Sequence, residues 1–110
     1  MARDRGLEDQ IREDLPKGLP LTEKSMFGGW AWLVNGNLAL GARDDGLLAR
    51  LGKGNDGWAL ALPDVAPMIS RGRLMGGWVR AGPAACGDDA IRLRLIETAL
   101  DFALRLPPKA

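Results

Sequence analysis

Asn35-Gly36 stands between the apolar run Trp30-Ala31-Trp32-Leu33-Val34 and a second run from Leu38 to Arg43. Few dipeptides constrain a chain more. A type I′ turn needs positive φ at both central residues, which Asn tolerates and Gly adopts freely, so the pair predicts an antiparallel hairpin. Asp44-Asp45-Gly46 predicts a second turn, and Leu47 to Leu51 a third strand. With Asn35-Gly36 as the turn, Leu33 should face Leu38, Ala31 should face Leu40 and Trp30 should face Gly41. If Asp45-Gly46 plays the same part, Leu40 faces Leu51, Gly41 faces Arg50 and Ala42 faces Ala49. Strand alternation then puts Ala31, Leu33, Leu38, Leu40, Ala42, Leu47, Ala49 and Leu51 on one core face. The opposite face would carry Trp30, Trp32, Val34, Arg43, Leu48 and Arg50, joined by Trp78 and Arg80 from a later strand.

Around this meander the periodicity predicts helices. Leu7, Ile11 and Leu15 form an amphipathic stripe that Pro16 and Gly18-Leu19-Pro20 end. Trp58 to Leu62 reads as a short helix stopped by Pro63. Pro67-Met68-Ile69, a turn at Arg71-Gly72-Arg73, and Met75 to Ala81 predict two more strands. Gly82-Pro83 breaks the chain and leaves Cys86 in a loop. Asp88 or Asp89 then caps a helix with Ile91, Leu95, Ile96, Ala99, Leu100 and Ala103 on one face. The expectation is one α+β domain over residues 1–110, an antiparallel sheet with helices in the order α-β(3)-α-β(2)-α.

Composition narrows the chemistry. The chain has no His, one Cys (Cys86) and no Tyr. Ser-His and Cys-His nucleophile pairs, His-ligated zinc and thiolate zinc clusters are therefore excluded. Asp44-Asp45 and Asp88-Asp89 could hold a divalent ion, but each pair sits where a turn or a helix cap is expected. Lys24 and Ser25 are adjacent, and neighbours on a strand point to opposite faces, so they form no catalytic pair. The glycines at 28, 29, 76 and 77 match no phosphate-loop spacing; Gly-Gly before Trp fits a bulge or a close backbone crossing. Acidic neighbours should keep the Cys86 thiol protonated. No cofactor, no metal and no enzymatic activity are expected, and chelation with EDTA should leave the melting temperature unchanged.

Fifteen Lys and Arg against fourteen Asp and Glu leave a formal charge of +1. That balance supplies no strong pull towards nucleic acid or acidic lipid. Eleven of the fifteen cations are Arg, which leaves a local anion site open, although GC-rich coding produces the same bias. The first ten residues hold charges of both signs and no apolar core, and no apolar run approaches the ~20 residues of a membrane span. A lone Cys suits a reducing compartment, so the expected address is cytoplasmic.

Several motifs now fall in order. Thr22-Glu23-Lys24-Ser25-Met26-Phe27-Gly28-Gly29 leads into the first hairpin. Leu48-Ala49-Arg50-Leu51-Gly52, Pro67-Met68, and Gly72-Arg73-Leu74-Met75-Gly76-Gly77-Trp78-Val79 follow. Ala99 to Lys109 closes the chain. From about Leu7 to Lys109 this resembles the TfoX N-terminal domain family, named for the TfoX/Sxy regulators of natural competence in bacteria. The resemblance implies the same α-β(3)-α-β(2)-α order, a fold similar to secretion chaperones, and no known enzyme activity. Full-length regulators of the family carry a second, C-terminal domain, so a stand-alone copy is expected here. The resemblance transfers no catalytic or binding residues.

The residues themselves leave one candidate surface, the face bearing Trp30, Trp32, Arg43, Arg50, Trp78 and Arg80. Trp and Arg are enriched in interface hot spots, so a protein partner or a homodimer is the leading expectation. The alternative is a nucleic-acid-associated regulator that stacks bases on the rings. Against both stands a helix crossing this face and burying Trp30 and Trp32 as core. A small-molecule site ranks behind these, and an enzyme last.

Overall fold

The computed structural model describes residues 4–26 and 29–108; Phe27, Gly28 and Lys109 of the motifs above lie outside the described residues. Helix α1 (Arg5–Asp14) starts at Asp4, whose carboxylate accepts the Leu7 N–H at 3.0 Å, and it buries Ile11. Six strands follow with helices between and after them: β1 (Leu21–Met26), β2 (Gly29–Val34), β3 (Asn37–Arg43), β4 (Gly46–Arg50), α2 (Gly57–Leu60), β5 (Val65–Ser70), β6 (Arg73–Ala81), α3 (Pro83–Gly87) and α4 (Asp89–Arg105). All the strands pair antiparallel in one sheet, in the order β1-β2-β3-β4-β6-β5. The α+β class and the antiparallel sheet with helices are as expected, and the element order holds broadly, with two additions. β1 reads Leu-Thr-Glu-Lys-Ser-Met, too polar to announce a strand. Pro83 starts the five-residue helix α3 where a loop around Cys86 was expected, because the Asp64 carboxylate accepts the Ala84 and Ala85 N–H groups at its head.

The first hairpin turn is type I′ as read, with φ of 52° at Asn35 and 82° at Gly36. Gly36→Val should cost about 1 kcal/mol or more in urea unfolding, because a β-branched residue resists positive φ. A variant as stable as the parent would contradict that turn.

Two register expectations are corrected. Leu33 does face Leu38, but Trp32 faces Leu40, Ala31 faces Gly41 and Trp30 faces Ala42. Ala39 is an extra residue in β3, a bulge, and one extra residue exchanges the two faces of everything beyond it. In the second hairpin the turn residues are Asp44-Asp45, so Arg43 faces Gly46 and Leu40 faces Ala49 rather than Leu51. That shift is by two residues and leaves the faces unchanged. Gly46 is required in β4 for another reason: a Cβ there would lie 2.0 Å from the Ala81 carbonyl oxygen.

The core face of the sheet therefore carries Trp32, Val34, Leu40, Ala42, Leu47, Ala49, Val79 and Ala81. They form one cluster with Ile11 of α1, Ala59 of α2, Ala85 and Cys86 of α3, and Leu95, Ile96, Ala99, Leu100 and Ala103 of α4. The α4 stripe is the one its periodicity predicts, capped by Asp88, which accepts the Ile91 N–H at 3.1 Å. Ala31, Leu33 and Leu48 are also buried, yet they lie on the other face and outside this cluster. Gly76-Gly77 marks a bulge and a close crossing together. The β5/β6 register shifts beside it, and Gly77 takes φ 86° with its missing Cβ only 2.6 Å from the Gly52 and Lys53 backbones.

Candidate functional surface

The structure separates the six residues expected to share a face. Trp32 is 0% exposed in the core, and Trp30 is half-buried beside it on the helix-covered side. The cause is the Ala39 bulge, which turns β2 over relative to the simple hairpin register. Both rings serve to hold α1. The Arg12 guanidinium lies 5.9 Å from the centre of each ring, and Arg12 Nε donates to Glu23 Oε1 at 3.0 Å. Trp30 Nε1 donates to the same oxygen at 2.7 Å. Glu23 faces Trp32 across the β1–β2 pair, so this cluster clamps helix to sheet edge.

Burial alone would raise the Glu23 carboxyl. Hydrogen bonds from Trp30 and Arg12 and the Arg12 charge outweigh it, holding the group below its usual 4.5. Trp32 Nε1 adds its dipole to that pull, although it reaches no hydrogen-bond partner of its own. A depressed carboxyl contributes stability that is full above its unfolded pKa and is lost as pH falls through the folded one. The urea midpoint should therefore drop below about pH 4.5, and Glu23→Gln should flatten that drop. An unchanged slope in the variant would contradict the clamp.

Arg43, Arg50, Trp78 and Arg80 do share the opposite face. Arg80 pairs with Leu48 and Arg50 with Trp78 across β4–β6, while Gly41 pairs with Leu48 across β3–β4. The Arg50 guanidinium sits at the end of that face between two rings, 5.5 Å from Trp78 and 5.4 Å from Phe102 of α4, and so bridges the sheet to that helix. Arg80 is paired with Asp45, and Arg43 lies 3.9 Å from the same carboxylate. Beyond them the end of the β5–β6 hairpin borders a groove of about 310 Å³, lined, among the described residues, by strand residues. Met26, Leu38, Leu48, Met68, Met75 and Trp78 supply its apolar surface. The hairpin tip projects Ile69, 62% exposed, and Leu74, 66% exposed.

Sequence reading missed the groove. Its methionines lie in three different strands, and Met26 joins Ala31 and Leu38 on that face only once β1, which the sequence did not announce, is paired with β2. The signal that was present is the exposed Ile69-Ser70-Arg71-Gly72-Arg73-Leu74 turn, which carries large apolar residues where a hairpin tip is usually polar.

Catalytic chemistry finds little to work with here. Among the described residues there is no group of three or more His, Cys, Asp or Glu able to hold a metal ion. Burial pushes the Cys86 thiol up, and its sulfur lies 3.2 Å from the Ala81 carbonyl oxygen. Ser25 Oγ donates to the Gly29 carbonyl at 3.4 Å, with Lys24 on the other face of β1. Among the described residues no helix is long and apolar enough to cross a membrane.

No curated protein and no solved structure matches the chain. The family model for the TfoX N-terminal domain matches residues 14–103. That span runs from the end of α1 to the last buried turn of α4 and includes the whole sheet, so the chain belongs to the TfoX N-terminal domain family.

Proposed function

We propose that this domain is a non-enzymatic regulatory module that works by docking a protein, either a partner or a second copy of itself, on the helix-free face of its sheet. The observation that carries this reading is the apolar groove with its exposed Ile69 and Leu74 tip, walled by strands. Monomers rarely leave so much contiguous apolar surface unused. Arg50 and Trp78 beside it are the residue types that anchor interfaces. The family is one of regulators, which supports a role in the control of competence or transcription. The lone, buried thiol suits a cytoplasmic address.

Basic residues on the same face favour a second reading, a nucleic-acid-associated regulator. The burial of Trp32 in the core and the engagement of the Trp30 ring with Arg12 and Glu23 weaken it, because base stacking needs open ring faces. Retention on heparin at physiological salt would favour nucleic acid.

The experiment is co-purification from the cell of origin with two double variants. Ile69→Glu with Leu74→Glu should lose the associated protein. Leu93→Glu with Leu104→Glu, on the helix side, should keep it. The reverse pattern would overturn the reading. All four residues are exposed, so both variants should fold.

A further inference from the structure

Five charged residues occupy register positions on the helix-free face: Lys24 in β1, Arg43 in β3, Arg50 in β4, and Arg73 and Arg80 in β6. All five are cations, and no strand position on that face carries a carboxylate. Among the described residues, the carboxylate in ion-pair contact with them is that of Asp45, in the β3–β4 turn, which Arg80 and Arg43 share. The whole chain carries only +1. The carboxylates of α1 and α4 are largely committed to arginines of these two helices: Glu8 and Asp9 to Arg12, Asp14 and Asp89 to Arg92, and Asp101 to Arg105. The cations of the sheet face therefore stand as a local basic, apolar surface on a chain that is nearly neutral as a whole.

Building on the docking reading above, we infer that the groove takes an amphipathic helix of a different protein, with Leu- or Met-type anchors flanked by Asp or Glu. Three features select it. The concavity runs across the sheet face and takes lining residues from all six strands, the edge strands β1 and β5 included, so an occupant lays side chains into it from above, as an amphipathic helix does with anchors at i, i+3, i+4 and i+7. Its Met26, Met68 and Met75 side chains are unbranched and adaptable, and fit aliphatic anchors rather than flat bases. The cations around it complement carboxylates and speed their approach. A second copy docked face to face would bring five cations against five. A second copy docked by its helices would bring carboxylates already paired with their own arginines, leave its own groove open and propagate a chain of subunits rather than close a dimer.

The probes are three synthetic helical peptides sharing one spacing: Leu anchors with Glu flanks, Leu anchors with Lys flanks, and Ser anchors with Glu flanks. Oligo(dT) serves as a fourth probe. Binding is read on the ¹³C-methyl signals of Met26, Met68 and Met75, with sedimentation velocity on the free domain. The Leu/Glu peptide should move all three signals and bind on the order of tenfold tighter than either other peptide. Arg43→Glu with Arg73→Glu should cut that affinity on the order of tenfold and reduce its salt dependence, since both residues are exposed rim charges. The free domain should sediment as a monomer. Equal binding of the Leu/Lys peptide, tighter binding of oligo(dT), no binding of the Leu/Glu peptide, or a dimer that shields the three methionines would each overturn the inference. If the Leu/Glu peptide fails while Ile69→Glu with Leu74→Glu still loses the cellular partner, docking on this face stands and the acidic helix alone is wrong.

Discussion

Alanine at position 32 should destabilise the domain by about 3–5 kcal/mol, the range for emptying a fully buried Trp site. Trp32 is the largest fully buried side chain, facing Leu40 and packed in one cluster with Ile11, Val34 and α4. A loss of that size removes about a fifth or more of the stability usual for such a domain. Urea unfolding checks it: the midpoint should fall sharply with little change in slope. Trp30→Ala should cost less, because its ring is half-buried and retains water on one side. If Trp32→Ala unfolded at the parent's midpoint and instead lost self-association, Trp32 would lie on an open face and the Ala39 bulge would be wrong.

Arg92→Leu should cost about 3 kcal/mol, the low end of what breaking a buried charge network does. The guanidinium is almost fully buried between α1, α3 and α4. Its Nε donates to Asp14 Oδ2 at 2.6 Å, one terminal nitrogen to the Cys86 carbonyl at 2.8 Å, and the other to Asp89 Oδ1 at 2.8 Å. Burial would depress its pKa, yet the two carboxylates hold it above the usual value. Leucine fills part of the volume and leaves the Asp14 carboxylate and a buried carbonyl without their donor. Thermal melts of Arg92→Leu and of Arg92→Leu with Asp14→Asn separate the causes. The double variant should recover part of the loss. A single variant within about 0.5 kcal/mol of the parent, the range of neutral surface changes, would contradict the clamp.

These residues show where sequence alone was sufficient and where it was not. Asn35-Gly36 announced its turn because the needed φ values restrict residue choice. The α4 stripe announced its buried face through a 3.6-residue period, but Arg92 sits in that stripe without an apolar signature. Its burial depends on Asp14, far along the chain, which no local pattern reveals. The Ala39 bulge was equally silent, since alanine fits a strand whether paired or bulged. That single residue moved Trp32 from the expected partner face into the core and left Trp30 half-buried against it. Arg43, Arg50, Trp78 and Arg80 kept their expected face because moving the second turn by one residue shifts the cross-strand register by two, which preserves alternation. The methionine groove needed the whole sheet to assemble before it could be seen.

A photo-reactive residue placed at Ile69, on the hairpin tip, and separately at Leu104, 41% exposed on α4, tests the docking face most directly. On irradiation in the cell of origin, the Ile69 probe should form a covalent adduct with a protein, and the Leu104 probe should not. An adduct with a second copy of the chain would keep the docking face and remove the acidic helix as its occupant. Adducts at Leu104 alone, or a nucleic-acid adduct at Ile69, would contradict the account.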